Sequence, residues 1–211
     1  MSEVESIIKY NFRLSNKSIE MPCIDELNFW RRQLHNAQLV GVNERGEGYG
    51  NLSQLLPPYD SPENNKVFVI TGSQSGHLED LTKEHYAIVT GYSLDDNVVE
   101  WQNGPIKPSS ESMTHGSIYD MDEKIRFVFH THSPFIWNKS ASLGIPSTNV
   151  NAGYGTPEMA KEIEKIFGTT DVKEKKIFSM GGHKDGMFTF GETASVAGGT
   201  ILRYLREAYR S

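Results

Sequence analysis

The chain is poor in cysteine. Cys23 is the single one among 211 residues, so no internal disulfide can form and a reducing compartment is the simplest reading. No apolar run approaches the ~20 residues that a membrane-spanning helix needs. No block of Lys or Arg occurs, and the formal charge of −6 argues against a protein that grips nucleic acid by its phosphate backbone. The acidic opening Met1-Ser2-Glu3-Val4-Glu5 lacks the apolar segment of a secretory signal. There is no internal repeat and no low-complexity linker. These absences together point to a soluble, cytoplasmic protein with neither membrane nor nucleic acid as partner. Hydrophobic content of 37% and charged content of 23% are those of an ordinary globular chain, and 211 residues suffice for one domain over 1–211, although two small ones would also fit.

Two amphipathic helices are expected at the start, one of them capped by Asp25 with Leu27, Trp30, Leu34 and Ala37 at helical spacing. Residues 41–50 hold four glycines and read as loop, leading into a short strand over 52–56 and a proline-rich turn over 57–62. Strands are expected over 67–70 and, as a hairpin around Asp95-Asp96-Asn97, over 86–92 and 98–101. A helix should begin near 109–111, and another at Pro157 with Thr156 as its cap. Residues 176–180 and 187–190 read as paired strands, followed by a last helix over about 193–208. Adjacent hairpins favour a largely antiparallel sheet covered by helices.

The most telling stretch is Ile125-Arg126-Phe127-Val128-Phe129-His130-Thr131-His132-Ser133-Pro134, an apolar run ending in two histidines. Residues i and i+2 of a strand share a face, so His130 and His132 project side by side and form a ready pair of metal ligands. Two polar residues facing water at a strand end would explain the same pattern. A metal held this way needs a third ligand. Of the seven histidines, His35 reads as a helix-surface residue, and His77 and His85 read as exposed. His183 lies in Gly181-Gly182-His183-Lys184-Asp185-Gly186, where glycines permit close backbone approach; an exposed turn histidine accounts for the segment equally well.

Glu111 follows Lys107-Pro108-Ser109-Ser110 and is the natural acid/base candidate. A carboxylate in a first helical turn also suits the helix dipole. The same helix start, with two hydroxyls and unpaired N–H groups, suits a phosphate. His115, one turn on, is placed to contact Glu111 or to pair with it on the helix surface. Gly50-Asn51-Leu52-Ser53 and Thr71-Gly72-Ser73-Gln74-Ser75-Gly76 are further candidates for holding an anion. Neither fits a Walker or dinucleotide pattern.

The order of these motifs, with Gly155-Thr156-Pro157-Glu158 and Gly182-His183 added, resembles the class II aldolase/adducin family over roughly residues 22–208. That family includes zinc-dependent sugar-phosphate aldolases such as fuculose-phosphate aldolase, and ribulose-phosphate 4-epimerases. The resemblance implies an α/β fold of three layers, α/β/α, with a largely antiparallel central sheet. It implies a divalent metal, usually Zn2+, on His130, His132 and His183, and Glu111 as catalytic acid/base. It casts Gly50, Asn51, Ser109 and Ser110 as phosphate binders, with either Ser73 or Ser75 and Gly76 to take that role in the altered Ser/Gly loop. The implied activity is that of a lyase that makes or breaks a C–C bond in a small hydroxy-carbonyl compound, such as a sugar phosphate. The metal would stabilise an enediolate while Glu111 moves protons. Epimerase or dehydratase chemistry fits the same site, and an adducin-head-like association scaffold is the rival from outside enzymology. A homo-oligomer, by resemblance a tetramer, is implied as well.

Two departures from the family pattern stand out. The segment between Gly144-Ile145-Pro146 and Gly155-Thr156-Pro157 is short where the aldolases supply a tyrosine to a neighbouring subunit. No residue clearly replaces that tyrosine; Tyr154 is the local candidate, and Tyr204 and Tyr209 near the C-terminus are candidates to reach a neighbour's site, with packing and surface as their default. The family's Asn-His-Gly becomes Gly182-His183-Lys184-Asp185-Gly186, which brings Lys184 and Asp185 beside the metal.

Overall fold

The computed structural model describes residues 7–210. The acidic start read over Met1-Ser2-Glu3-Val4-Glu5 lies outside them. In chain order the elements are β1 (Asn11–Leu14), α1 (Asp25–Asn36), β2 (Gly41–Val42), β3 (Gly48–Tyr49), β4 (Asn51–Leu55), β5 (Phe68–Thr71), β6 (Tyr86–Ser93) and β7 (Val98–Trp101). There follow α2 (Ser112–Asp120), β8 (Phe127–His132), α3 (Pro134–Asn138), α4 (Pro157–Thr169), α5 (Val172–Lys175), β9 (Ile177–Ser179), β10 (Gly186–Gly191) and α6 (Ala194–Arg210).

Eight strands form one sheet in the order β1-β7-β6-β5-β4-β8-β10-β9, and every neighbouring pair is antiparallel except β1 with β7. Strand alternation splits the core in two. Phe68, Ile70, Val128, Phe188 and Phe190 pack with Met113 and Ile118 of α2 and Met159, Ile163 and Ile166 of α4. Val69, Phe127, Phe129 and Met187 pack on the other face with Leu27 and Leu34 of α1 and Ala197 and Ile201 of α6. The result is helices on both faces of a mixed, mostly antiparallel sheet, the α/β/α arrangement expected. Both faces of the central strands are covered, so β5 and β8 read as continuous apolar runs.

Local signals explain most boundaries. Thr156 caps α4, its Oγ1 accepting from the Met159 N–H, and Pro157 fills the first turn. Ser133 caps α3 in the same way, its Oγ accepting from the Ile136 N–H.

Three expectations need correction. Only α1 precedes the sheet's central strands among the described residues; the other opening helix is replaced by β1, whose Asn11 to Leu14 pair in parallel with Val98 to Trp101. In that strand the Phe12 ring packs against Tyr10 and Trp101. Second, Ile24 rather than Asp25 occupies the cap position of α1, and Asp25 lies in the first turn where the dipole favours it. Third, residues 41–50 are no plain loop. Gly41–Val42 pairs with Gly48–Tyr49 because Asn43 Oδ1 accepts from the Arg45 and Glu47 N–H groups and Gly46 takes φ +77, which closes a tight turn.

The α2 face against β6 leaves no room for a side chain at Gly116: an added Cβ would sit 2.4 Å from Tyr92 Cε1. Gly116→Ala should therefore destabilise the fold by about 1–3 kcal/mol through overpacking, despite the better helix propensity of alanine. Urea denaturation of the variant checks this; equal or greater stability would show that Tyr92 moves aside freely.

Candidate metal centre

The site is built by strand parity and helical spacing. His130 lies opposite Asn51 on one side and Phe188 on the other, in a single row across β4, β8 and β10. Ser53 lies opposite Val128 one step along. Asn51, Ser53, His130, His132 and Phe188 thus share the face turned toward α2. Glu111, His115 and Tyr119, spaced four apart, look back at that face from α2 and the residue preceding it.

Three imidazoles converge there. His132 Nε2 lies 3.1 Å from His130 Nε2 and 3.1 Å from His183 Nε2. Tetrahedral zinc with ligands at 2.0–2.1 Å requires nitrogens about 3.3 Å apart. All three side chains are buried. His130 donates from Nδ1 to the Met187 carbonyl at 3.2 Å, so its Nε2 presents a lone pair inward. Desolvation, with the neighbouring imidazoles adding to it, holds His130 and His132 well below the ordinary histidine range. Neutral, inward-facing imidazoles are what a metal requires, and this donor set fits a divalent cation.

Loops bring in the third imidazole. An added Cβ at Gly181 would sit 2.2 Å from Thr148 O, and one at Gly182 2.2 Å from Ala152 O. Only glycine lets the 148–152 segment lie so close and press His183 inward. Tyr154 follows that segment and packs its ring, tilted by 47°, on His183 at 4.5 Å between centroids, while Phe188 stacks on His130 at 4.6 Å. Lys9 Nζ lies 3.5 Å from the centre of the Tyr154 ring.

Glu111 is 2% exposed. Its Oε1 lies 3.8 Å from His130 Nε2, and its Oε2 accepts from Thr114 Oγ1 at 2.8 Å. Gly48, Tyr49, Gly50, Asn51, Ser110, Glu111, His130, Tyr154 and His183 enclose a cavity of about 10 Å³, room for one water or ion. Gly50, Asn51, Ser110, Glu111, His130, His132 and His183 are therefore gathered in one place, with Ser109 adjoining through its neighbour. Ser109 Oγ accepts from the Glu111 N–H at 3.3 Å, and Ser109 O accepts from Tyr10 Oη at 2.5 Å. Ser75 and Gly76 do not line this cavity. They are buried beneath the β2–β3 ribbon, with Ser75 Oγ turned to Gly72 O at 2.8 Å. Arg31 donates to both of their carbonyls, at 3.1 Å each, from behind.

His115 corrects an expectation. It is wholly buried and makes no helix-surface pair with Glu111. Its Nδ1 lies 2.6 Å from Ser53 Oγ and its Nε2 2.6 Å from Asn51 Oδ1. That His115 lies one turn from Glu111 is plain in the sequence, but only the sheet decides what His115 faces. Tyr204 packs in the core, and Tyr209 is exposed. Among the described residues no helix is long and apolar enough to cross a membrane.

The family model for the Class II Aldolase and Adducin N-terminal domain matches residues 41–203, from β2 into α6. The chain belongs to that family. Solved structures of class II aldolases share its fold. A sugar-phosphate aldolase from Thermotoga maritima superposes with TM-score 0.63 at 18% identity, covering 89% of this chain and 92% of that one. L-Fuculose-1-phosphate aldolase from Thermus thermophilus gives 0.59 at 19% identity, covering 87% and 89%. A Mycoplasma pneumoniae protein named as a probable L-ribulose-5-phosphate 4-epimerase is 36% identical over 87 residues, which span 41% of this chain and 31% of that protein. The class II aldolase family typically uses a divalent metal, and the three histidines here are suited to hold one.

Burial pushes His115 down to about 3. In the unfolded chain an imidazole takes up its proton near pH 6.5. Below that pH the unfolded state binds more protons than the native state, so stability falls as the solution is acidified. His115 alone should cost about 1.4 kcal/mol per pH unit below 6.5. Denaturant titrations of metal-free protein between pH 7 and 5 measure the slope. His115→Gln should flatten it by about that amount; an unchanged slope would show that His115 is already protonated in the native state.

Proposed function

We propose that the protein is a divalent-metal-dependent lyase of the aldolase type, zinc being the metal and a small hydroxy-carbonyl compound, in the first instance a sugar phosphate, the substrate. One observation carries the reading: three buried imidazole nitrogens face one another beside a buried carboxylate and a helix start furnished with serines. His130, His132 and His183 would hold the metal. When bound, a divalent cation there would polarise a substrate carbonyl and stabilise the negative charge that develops on it.

This chain's own groups do the rest. Glu111, fixed by Thr114, takes and returns the proton as the bond breaks or forms. Gly50 and Asn51 at the start of β4, with Ser109 and Ser110 before α2, bind the phosphate through N–H groups and hydroxyls, and Ser75 and Gly76 back the ribbon from below. Remote binding of the phosphate orients a flexible substrate. Tyr154 and Phe188 keep the imidazoles in place and water away. A homo-oligomer, tetrameric as is common in the family, and a cytoplasmic location complete the proposal.

Epimerisation is the second reading, supported by the local 36% identity to the epimerase-named relative. It would use the same metal and the same cradle. An association scaffold has no use for three convergent imidazoles and a poised carboxylate.

Elemental analysis should find about one divalent ion per chain in the purified protein. His132→Ala should lose it while remaining folded, since a catalytic ligand set is seldom the core of so large a domain; stoichiometric metal in that variant would remove His132 from the ligand set. Glu111→Gln should keep the metal and lose turnover by about 10²-fold or more, assayed on L-fuculose 1-phosphate and L-ribulose 5-phosphate. Two fragments as products identify a lyase, and a single isomer identifies an epimerase. Full activity in Glu111→Gln would exclude that carboxylate from the chemistry.

A further inference from the structure

A buried hydrogen-bonded chain runs from α2 into the sheet and ends at the cavity wall. Tyr119 Oη lies 2.7 Å from Ser53 Oγ, Ser53 Oγ lies 2.6 Å from His115 Nδ1, and His115 Nε2 lies 2.6 Å from Asn51 Oδ1. Ser53 and His115 are fully buried, Tyr119 is 1% exposed, and Asn51, at 7%, is the member that lines the cavity. Nothing in the metal chemistry requires this chain, because both ring nitrogens of His115 are already engaged.

Its polarity follows from proton counting. Asn51 Oδ1 is an acceptor, so His115 Nε2 carries the proton. A neutral imidazole has one N–H, so Nδ1 accepts, and the Ser53 hydroxyl must donate to it. The competing acceptor for that hydroxyl, Val128 O, is farther away at 3.4 Å. Ser53 Oγ then accepts from Tyr119 Oη. Every buried group is satisfied once, in one direction, with no charge. Phe188 lies edge-on to the His115 ring at 5.3 Å and 73°, which hinders the ring flip that would exchange the two nitrogens. The burial that holds His115 neutral agrees with this assignment.

We infer that His115 is a positioning residue. Braced by Ser53 and Tyr119, it fixes the Asn51 amide with its oxygen turned into the protein and its NH₂ available to the cavity, so that the site selects an anionic, hydrogen-bond-accepting group such as a phosphate. Without it the amide could rotate and present its carbonyl, which repels an anion. The orientation of the amide stands on the geometry alone, while the selection of an anion rests on the cradle reading given above.

Two measurements on the zinc-loaded protein test this. Nitrogen-15 NMR of the imidazoles reads the His115 tautomer. The expected proton lies on Nε2; a proton on Nδ1 would reverse the chain and overturn the inference. Calorimetry with inorganic phosphate then compares wild type with His115→Phe, His115→Gln and Asn51→Ala, with zinc content and melting temperature recorded for each. His115→Phe should weaken phosphate binding tenfold or more at unchanged zinc content. His115→Gln, whose amide can donate from near the place of Nε2, should recover most of it. His115→Asn, which offers nothing at that place, substitutes for the phenylalanine variant if the latter does not fold.

Phosphate binding lost in Asn51→Ala but kept in both His115→Phe and His115→Asn overturns the positioning role and leaves the cradle reading standing. Phosphate that does not bind to wild type, or binds equally to Asn51→Ala, overturns the cradle reading and anion selection with it; the tautomer then still judges the amide orientation.

Discussion

The register of β8 between β4 and β10 is the constraint on which the rest depends. Asn51, His130 and Phe188 are locked opposite one another by antiparallel pairing on both sides of one strand. Strand side chains alternate faces, so slipping β8 by one residue would turn His130 and His132 toward α1 and α6 and bring Phe129 and Thr131 under α2. The continuous apolar character of Phe127, Val128 and Phe129 does not by itself forbid that slip. What opposes it is the cost of burying two imidazoles among the Leu and Ile side chains of the other face with nothing to bond to.

The site concentrates polar groups where the fold is otherwise apolar. Glu111, His115, His130, His132 and His183 are all buried within a few ångströms of the sheet. Such a cluster is tolerated because its members are committed to partners: His130 to the Met187 carbonyl, His115 to Ser53 and Asn51, Glu111 to Thr114. The Nε2 atoms of His130, His132 and His183 crowd toward one common point. A cation at that point would convert the crowding of buried donors into a set of bonds. Aromatic rings on His130 and His183 hold the geometry and keep the local dielectric low.

Much of this was legible beforehand because it rests on local rules. The alternation that pairs His130 with His132, the Thr156-Pro157 helix start, and the β6–β7 hairpin each depend on residues close in the chain. What escaped depends on distant partners. β1 exists only because β7 offers an edge. The ribbon of β2 and β3 was hidden by its glycines, which signal turns more strongly than strands. The burial of His115 was beyond reach, since a histidine one turn from a glutamate looks the same on a solvated helix as on one pressed against a sheet. The Ser75–Gly76 loop was recognisable as an anion-binding candidate. Its position beneath the ribbon, held from behind by Arg31, was not.

The sequence by itself determined the donor types and their local geometry: two imidazoles on one strand face, a third between glycines, and a carboxylate where a helix begins. It did so because strand parity and helical periodicity are properties of short segments. Tertiary structure alone decided that the three imidazoles meet, that Tyr154 covers one of them, and that His115 serves Asn51 rather than Glu111. Those outcomes depend on how the sheet brings 51, 130, 183 and 188 together. Contacts across such separations are set by packing of the whole domain, which no short segment encodes.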